Sequence, residues 1–376
     1  MNDRERFNAT MHYQPVDRAP ICDFSFWDET LPIWHEQGLP RHVDRTNSDE
    51  FFGMDRLHNG PGLGVAIDLA PKFEEVVIED RGDHEVVQQA DGVRVLRKKF
   101  MGSIPQHMGH LLTDRASWHE HYKPRLDPTS PERYPADWDA RIKEWTDPQR
   151  DYPLVLPGGS LYGRLRDWMG LQNISLVVYD DPAWFEEMVT TVADCIIGTL
   201  TRLLATGAQF DACGMWEDMA YNRGPLLSPK HFKQYLVPHY RRITDLLHQY
   251  GVDVVWVDCD GKIDALVPHW LDAGVNCMFP IEVGVWGADP IQFRAEYGED
   301  LLLMGGFSKR ILAQGRAEIE AEVHRLTPLI EAGGFIGFCD HRVPPDVPLA
   351  NYMVYLETVR EVWGHGVNLK PMGAFV

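Results

Sequence analysis

Two short segments, Val257-Asp258-Cys259-Asp260-Gly261 and Cys339-Asp340-His341-Arg342, gather carboxyl, thiol and imidazole groups directly after apolar runs. Such runs read as buried strands, and parallel sheets place their chemistry at the carboxyl ends of their strands. At a period of two, Asp258 and Asp260 point the same way from the pleat, while Gly261 gives the backbone room to turn. Two carboxylates on one face repel, so they need a cation or a shared proton. Asp260 alone also fits as the N-cap of a helix opening near Lys262. His341, just beyond another strand, returns to the same rim. Two carboxylates and an imidazole with open positions are the ligand set of a catalytic Zn, Mn or non-haem Fe site.

Further candidates end other strands. Met215-Trp216-Glu217-Asp218-Met219-Ala220-Tyr221 adds paired acids to the rim. Glu217 is read as a fourth metal ligand or general base, Asp218 as a supporting or catalytic acid, and Tyr221 as a substrate contact. A loop acid near a helix start is the plainer account of both carboxyls. After Gly158-Gly159-Ser160 come Tyr162 and Arg164, read as substrate-binding, with Arg164 or Arg166 able to grip a carboxylate in a bidentate fork. Asp23, beside Phe24, Phe26 and Trp27, ends the first strand and points to the rim as a substrate contact. Gly305-Gly306-Phe307-Ser308-Lys309 suits an anion through its backbone N–H groups, and equally a tight strand-to-helix turn. His107, His110, His119 and His121 fall in a charged stretch and read as surface residues.

The elements that position these groups alternate one by one from about residue 150. Apolar runs at 153–156, 209–216, 252–257, 275–279, 301–304 and 334–338 are separated by helix-period segments at 182–206, 229–250, 263–273, 290–297, 317–331 and 350–363. This rhythm means a parallel sheet. With Ala19 to Phe24 as a further strand, regular alternation favours an α/β fold of the (β/α)8 TIM-barrel type in one domain, 1–376, although no run declares itself as the eighth strand. Residues 65–100 break the rhythm with alternating segments around Asp-Gly turns, which predicts an inserted antiparallel hairpin. Residues 124–152, rich in Pro, Asp and Arg, read as a surface excursion.

The 376 residues are 44% hydrophobic, ample for a large core, and the net charge of −20 argues against nucleic acid or an anionic membrane as partner. The six cysteines are scattered without a CxxC pair and read as reduced, packed thiols. The polar N-terminus and the lack of a long apolar stretch lead to the expectation of a soluble, cytoplasmic protein.

Arg4-Glu5-Arg6-Phe7 with Pro15-Val16-Asp17-Arg18-Ala19-Pro20 resembles the opening of the uroporphyrinogen decarboxylase superfamily. Gly224-Pro225-Leu226-Leu227-Ser228-Pro229, the Pro238 closing the following helix, and Pro344-Pro345-Asp346-Val347-Pro348 resemble its later motifs. The resemblance covers nearly the whole chain and implies a (β/α)8 barrel with its site at the C-terminal face. Where the decarboxylase branch has Arg-Gln-Ala-Gly-Arg, this chain reads Asp23-Phe24-Ser25-Phe26-Trp27, which argues against decarboxylation of uroporphyrinogen itself. The methyltransferase branch holds zinc on His-X-Cys-Gly and a later Cys. Matching its glycine to Gly261 puts Asp258 at the His and Asp260 at the first Cys, and counting back from Pro345 puts His341 at the second. Cys259 and Cys339 fall between ligand positions.

The resemblance thus implies a metal-dependent, corrinoid-dependent methyltransferase moving a methyl group between a small O- or N-methyl compound or folate and a corrinoid carried by a partner protein. Its divalent metal, Zn first with Mn or Fe as the other candidates, would be held by Asp258, Asp260, His341 and Glu217. Asp340 would orient His341 or carry a proton, and Arg342 would bind substrate. An oxygen-rich shell favours an oxygen substrate over a thiol. Two rivals stand beside this reading: a metal-free decarboxylase or related lyase acting on a carboxylated substrate, and a non-catalytic barrel that docks a corrinoid protein. Dimers are usual among relatives, so the resemblance allows a homodimer and leaves the oligomeric state open.

Overall fold

Apolar runs that expose neither face can only pair side by side between layers of helices. The computed structural model describes residues 1–57, 62–99 and 104–366. Its parallel sheet contains β5 (Val155–Gly159), β6 (Ala212–Trp216), β9 (Val255–Asp258), β10 (Cys277–Ile281), β11 (Leu302–Phe307) and β12 (Phe335–Cys339), in the order β12-β11-β10-β9-β6-β5. Helices Pro182–Leu204, Val237–Gln249, Pro290–Tyr297, Arg316–Ala332 and Leu349–Trp363 alternate with the strands as expected. Proline opens Pro182–Leu204 and Pro290–Tyr297, where its missing N–H would find no partner anyway.

Alternate residues of each strand feed two different cores. Val257, Met278 and Leu303 face the helices. Trp256, Phe279, Met304 and Phe338 form a separate inner cluster. The helix Asp3–Met11, fixed at its start by an Asn2–Glu5 capping box, adds Phe7 and Met11 to that inner cluster.

The α/β class and its alternation are as the sequence implies, with corrections in detail. Ala19 to Phe24 joins no ladder among the described residues: the Ile21 N–H donates to the Asp55 carboxyl and its carbonyl accepts from the Asp55 N–H, so both groups are spent. Among the described residues the N-terminal segment's isolated β-bridge is the parallel pair Phe26 to Val343, and the Thr10 carbonyl accepts from the Gly334 N–H just before β12. The inserted hairpin is a four-stranded antiparallel sheet, β1 (Val76–Asp80), β2 (His84–Gln88), β3 (Val93–Lys98) and β4 (Gln106–His110), in sequential order. Its fourth strand escaped the reading because an edge strand needs no apolar alternation, and His107 and His110 lie within it.

Two short strands, β7 (Ala220–Tyr221) and β8 (Gly224–Pro225), follow β6 as a small antiparallel pair. Pro238 does not close a helix. It sits in the first turn of Val237–Gln249, directly after the π-helical turn Phe232–Leu236, where the wider turn accommodates the missing N–H. The excursion at 124–152 is anchored rather than loose: the buried Arg133 donates to the carbonyls of Ala66, Asp68 and Arg125. All six cysteines are free and buried. No helix among the described residues is long and apolar enough to cross a membrane.

Candidate functional site

The strands β6 and β9 run in a register that sets Trp216 opposite Asp258, so their C-terminal ends deliver side chains to one place. There Asp218, Asp258 and Asp260 each bring a carboxyl oxygen within 4.8 Å of the others. The backbone is bent to achieve this. Asp218 has φ 41°, a left-handed conformation unusual for a non-glycine residue, and the Arg166 guanidinium donates to its carbonyl oxygen. Gly261 has φ 91°, and a Cβ there would lie 2.7 Å from the Ala220 backbone, so glycine is required. The Asp260 N–H donates to Asp218 at 3.3 Å.

His341 Nε2 lies 3.3 Å from Asp260 Oδ2. Its ring stacks on Trp27 at 5.3 Å and meets Phe24 edge-on at 5.5 Å, which fixes its plane. The Arg342 guanidinium sits over Trp27 at 5.5 Å and Phe24 at 5.9 Å. Of the residues chosen from the sequence, Asp258 and Asp260 share the cluster, and His341 reaches it through Asp260.

Electrostatics make the cluster costly without a counter-charge. Burial, then Asp218 and Asp260, push the Asp258 carboxyl well above its ordinary range, with Arg342 opposing. Burial and Asp260 raise Asp218 to about 6. The other oxygen of Asp260, Oδ1, is buried with no hydrogen-bond partner. An orphaned carboxyl oxygen among crowded acids fits a divalent cation, and the all-oxygen donors with one imidazole suit Zn, Mn or Fe.

Two other sequence candidates have different work. Glu217 is fully buried and faces away from the cluster: its carboxyl accepts from Ser160 Oγ, the N–H groups of Leu161, Tyr162 and Gly163, and Tyr240 Oη. It therefore ties down the start of the helix Gly163–Met169 and has no lone pair directed at a metal. Asp340 likewise accepts from the N–H groups of Gly284 and Lys309, at 3.0 and 2.8 Å, and so locks two loops rather than orienting His341. Burial raises its pKa.

Tyr162 is packed in the core, with burial raising its phenol to about 12. Arg164 pairs with Asp68 at 3.3 Å and lies over Trp216 at 4.8 Å. Tyr221 is exposed and touches Trp286 at 5.3 Å. Glu282 is the residue sequence reasoning missed. It follows β10, accepts from Gly261 N–H at 3.1 Å and pairs with Lys309 at 2.8 Å. Burial, then Asp260, raise its pKa. The rule that found Asp258 finds it too, once β10 is extended to Ile281.

Asp23 is buried behind the rim, accepting from Tyr352 Oη at 2.9 Å and from its neighbour Phe24 N–H at 2.8 Å. Burial holds its carboxyl up to about 7, against an ordinary 3.8. Between those values the folded chain keeps a proton that the unfolded chain gives up, so stability falls as pH rises through that window. The penalty above pH 7 is on the order of 4 kcal/mol. Asp23→Asn is expected to flatten the decline in melting temperature from pH 4 to 8; parallel curves for the two proteins would remove Asp23 from the account.

Two cavities meet at the cluster. One of about 470 Å³ reaches Asp258 from the side of Trp216, Trp256 and Arg164. The other, about 440 Å³, reaches Asp260 and His341 from the side of Trp27, Trp286 and Lys309.

Residues 167–362, just over half of the chain, match the model of the family described as uroporphyrinogen decarboxylase. Among solved structures, a methyltransferase from Methanosarcina mazei is similar at 16% identity and a TM-score of 0.62, covering 96% of this chain and 99% of its own. At that identity the likeness shows a shared fold. No curated protein matches.

Proposed function

Since this chain belongs to the uroporphyrinogen decarboxylase family, we propose that it is a methyltransferase of that family, with a divalent metal held by Asp218, Asp258, Asp260 and His341. The observation that carries this reading is the cluster of three carboxyls within 4.8 Å, with His341 3.3 Å from Asp260. Bound there, a divalent metal supplies Lewis-acid polarisation of the oxygen or nitrogen that carries the methyl group.

The chain's own residues prepare that chemistry. Arg166 holds Asp218 in its left-handed turn, Gly261 lets Asp260 close on it, and the Trp27 stack keeps His341 in plane. The donor occupies the cavity against Asp258. A reduced corrinoid carried by a partner protein would supply the lone pair that takes the methyl group, with the bond pair remaining on the donor's heteroatom. The cavity beside His341, where Lys309 and Arg310 offer positive charge, would admit the corrinoid.

Elemental analysis, followed by cobalamin absorbance against methoxyl and methylamine donors, tests the reading. Methyl transfer abolished by chelator supports it. Carbon dioxide release from a carboxylated substrate, unaffected by chelator, replaces it with the decarboxylase.

A further inference from the structure

Adjacent strands place two tryptophans on the inner face beside the acid cluster. In the β6–β9 register Gly214 faces Trp256 and Trp216 faces Asp258. A Cβ at Gly214 would lie 2.7 Å from the Trp256 ring, so the missing side chain is what lets that indole lie across β6. Trp216 carries Arg164 over its ring at 4.8 Å, which adds a second flat group to the wall. The cavity of about 470 Å³ that they line ends at Asp258. A cavity of roughly 150 Å³ already accepts benzene, so this one has room for a substituted ring.

Charge narrows the ligand further. Arg164 is the one cationic side chain among the described residues lining this cavity, and it is already paired with Asp68 at 3.3 Å and Asp167 at 3.8 Å. Asp68 and Asp258 line the same cavity. A ligand with several carboxylates would meet more acid than base, whereas a neutral flat ring meets indole and guanidinium planes.

We infer that this cavity is a subsite for a small, uncharged aromatic ether, its ring against Trp216 and Trp256 and its ether oxygen at Asp258. The inference deepens the methyl-transfer reading and rests on it for the role of the oxygen. The test is titration of the full chain with 2-methoxyphenol, 2-methoxyethanol and benzene-1,3,5-tricarboxylate, read by calorimetry and tryptophan fluorescence, with bound metal measured on each sample. Saturable binding of 2-methoxyphenol alone is expected, weakened about tenfold in Trp216→Leu and largely kept in Trp216→Phe. The tricarboxylate binding as tightly as 2-methoxyphenol, or Trp216→Leu leaving 2-methoxyphenol binding unchanged, overturns it. Metal retained without ring binding removes the subsite alone, and ring binding by a protein that never holds metal removes the metal reading alone.

Discussion

Asp258→Ala is expected to lower methyl transfer by about a thousandfold or more, because polarisation by a bound metal is worth several kcal/mol. The same residue carries a stability signature of opposite sign. Its pKa is raised by burial and by its acidic neighbours, so the folded, metal-free protein loses stability as pH rises through the range where Asp258 would ionise. After chelation, Asp258→Asn should therefore melt higher than the wild type at pH 8, while no longer gaining stability from added metal. A variant that loses both stability and metal response equally would make Asp258 an ordinary structural residue. The expected pattern, lower activity with higher metal-free stability, is the mark of a strained functional group.

Glu217→Ala should be the most damaging single change to the fold. Three buried backbone N–H groups, Ser160 Oγ and Tyr240 Oη all converge on this carboxyl. Alanine leaves them without an acceptor, at about 4 kcal/mol or more. For a chain of 376 residues that corresponds to a fall in melting temperature of about 5 °C. Glu217→Gln, which keeps one acceptor oxygen, should fall between the two and retain bound metal. Loss of metal in Glu217→Gln with no change in melting temperature would instead return Glu217 to the ligand set.

That contrast explains how far the sequence could be read. Side-chain alternation put Asp258 and Asp260 on one face, and the structure keeps them there because β9 is regular up to Asp258. The same parity applied to β6 separates Glu217 from Asp218: Trp216 faces Asp258 across the pair, so the next residue turns toward the helices and the one after returns. The acid two residues past an inward-facing position was the one to choose. What parity does not supply is the left-handed turn at Asp218, which depends on Arg166, a residue 52 positions away in sequence.

Loops set the other limits. Asp340 and His341 follow β12 in adjacent positions, yet one is locked by the amides of Gly284 and Lys309 while the other reaches Asp260. Nothing local distinguishes them, because the difference is made by the ends of neighbouring strands. Asp23 similarly reads as a rim residue but lies behind it, since Tyr352 of the last helix supplies its partner. The strand-and-helix alternation was legible because parallel strands are apolar on both faces. The fourth antiparallel strand was not, because β4 is a polar edge.

The most direct measurement is metal stoichiometry of the purified 376-residue chain, wild type beside Asp258→Ala and His341→Ala, after growth with Zn, Mn and Fe supplied. The account predicts about one divalent ion per wild-type chain and its loss from both variants. A wild type that holds no metal, or both variants retaining the full amount, would contradict it.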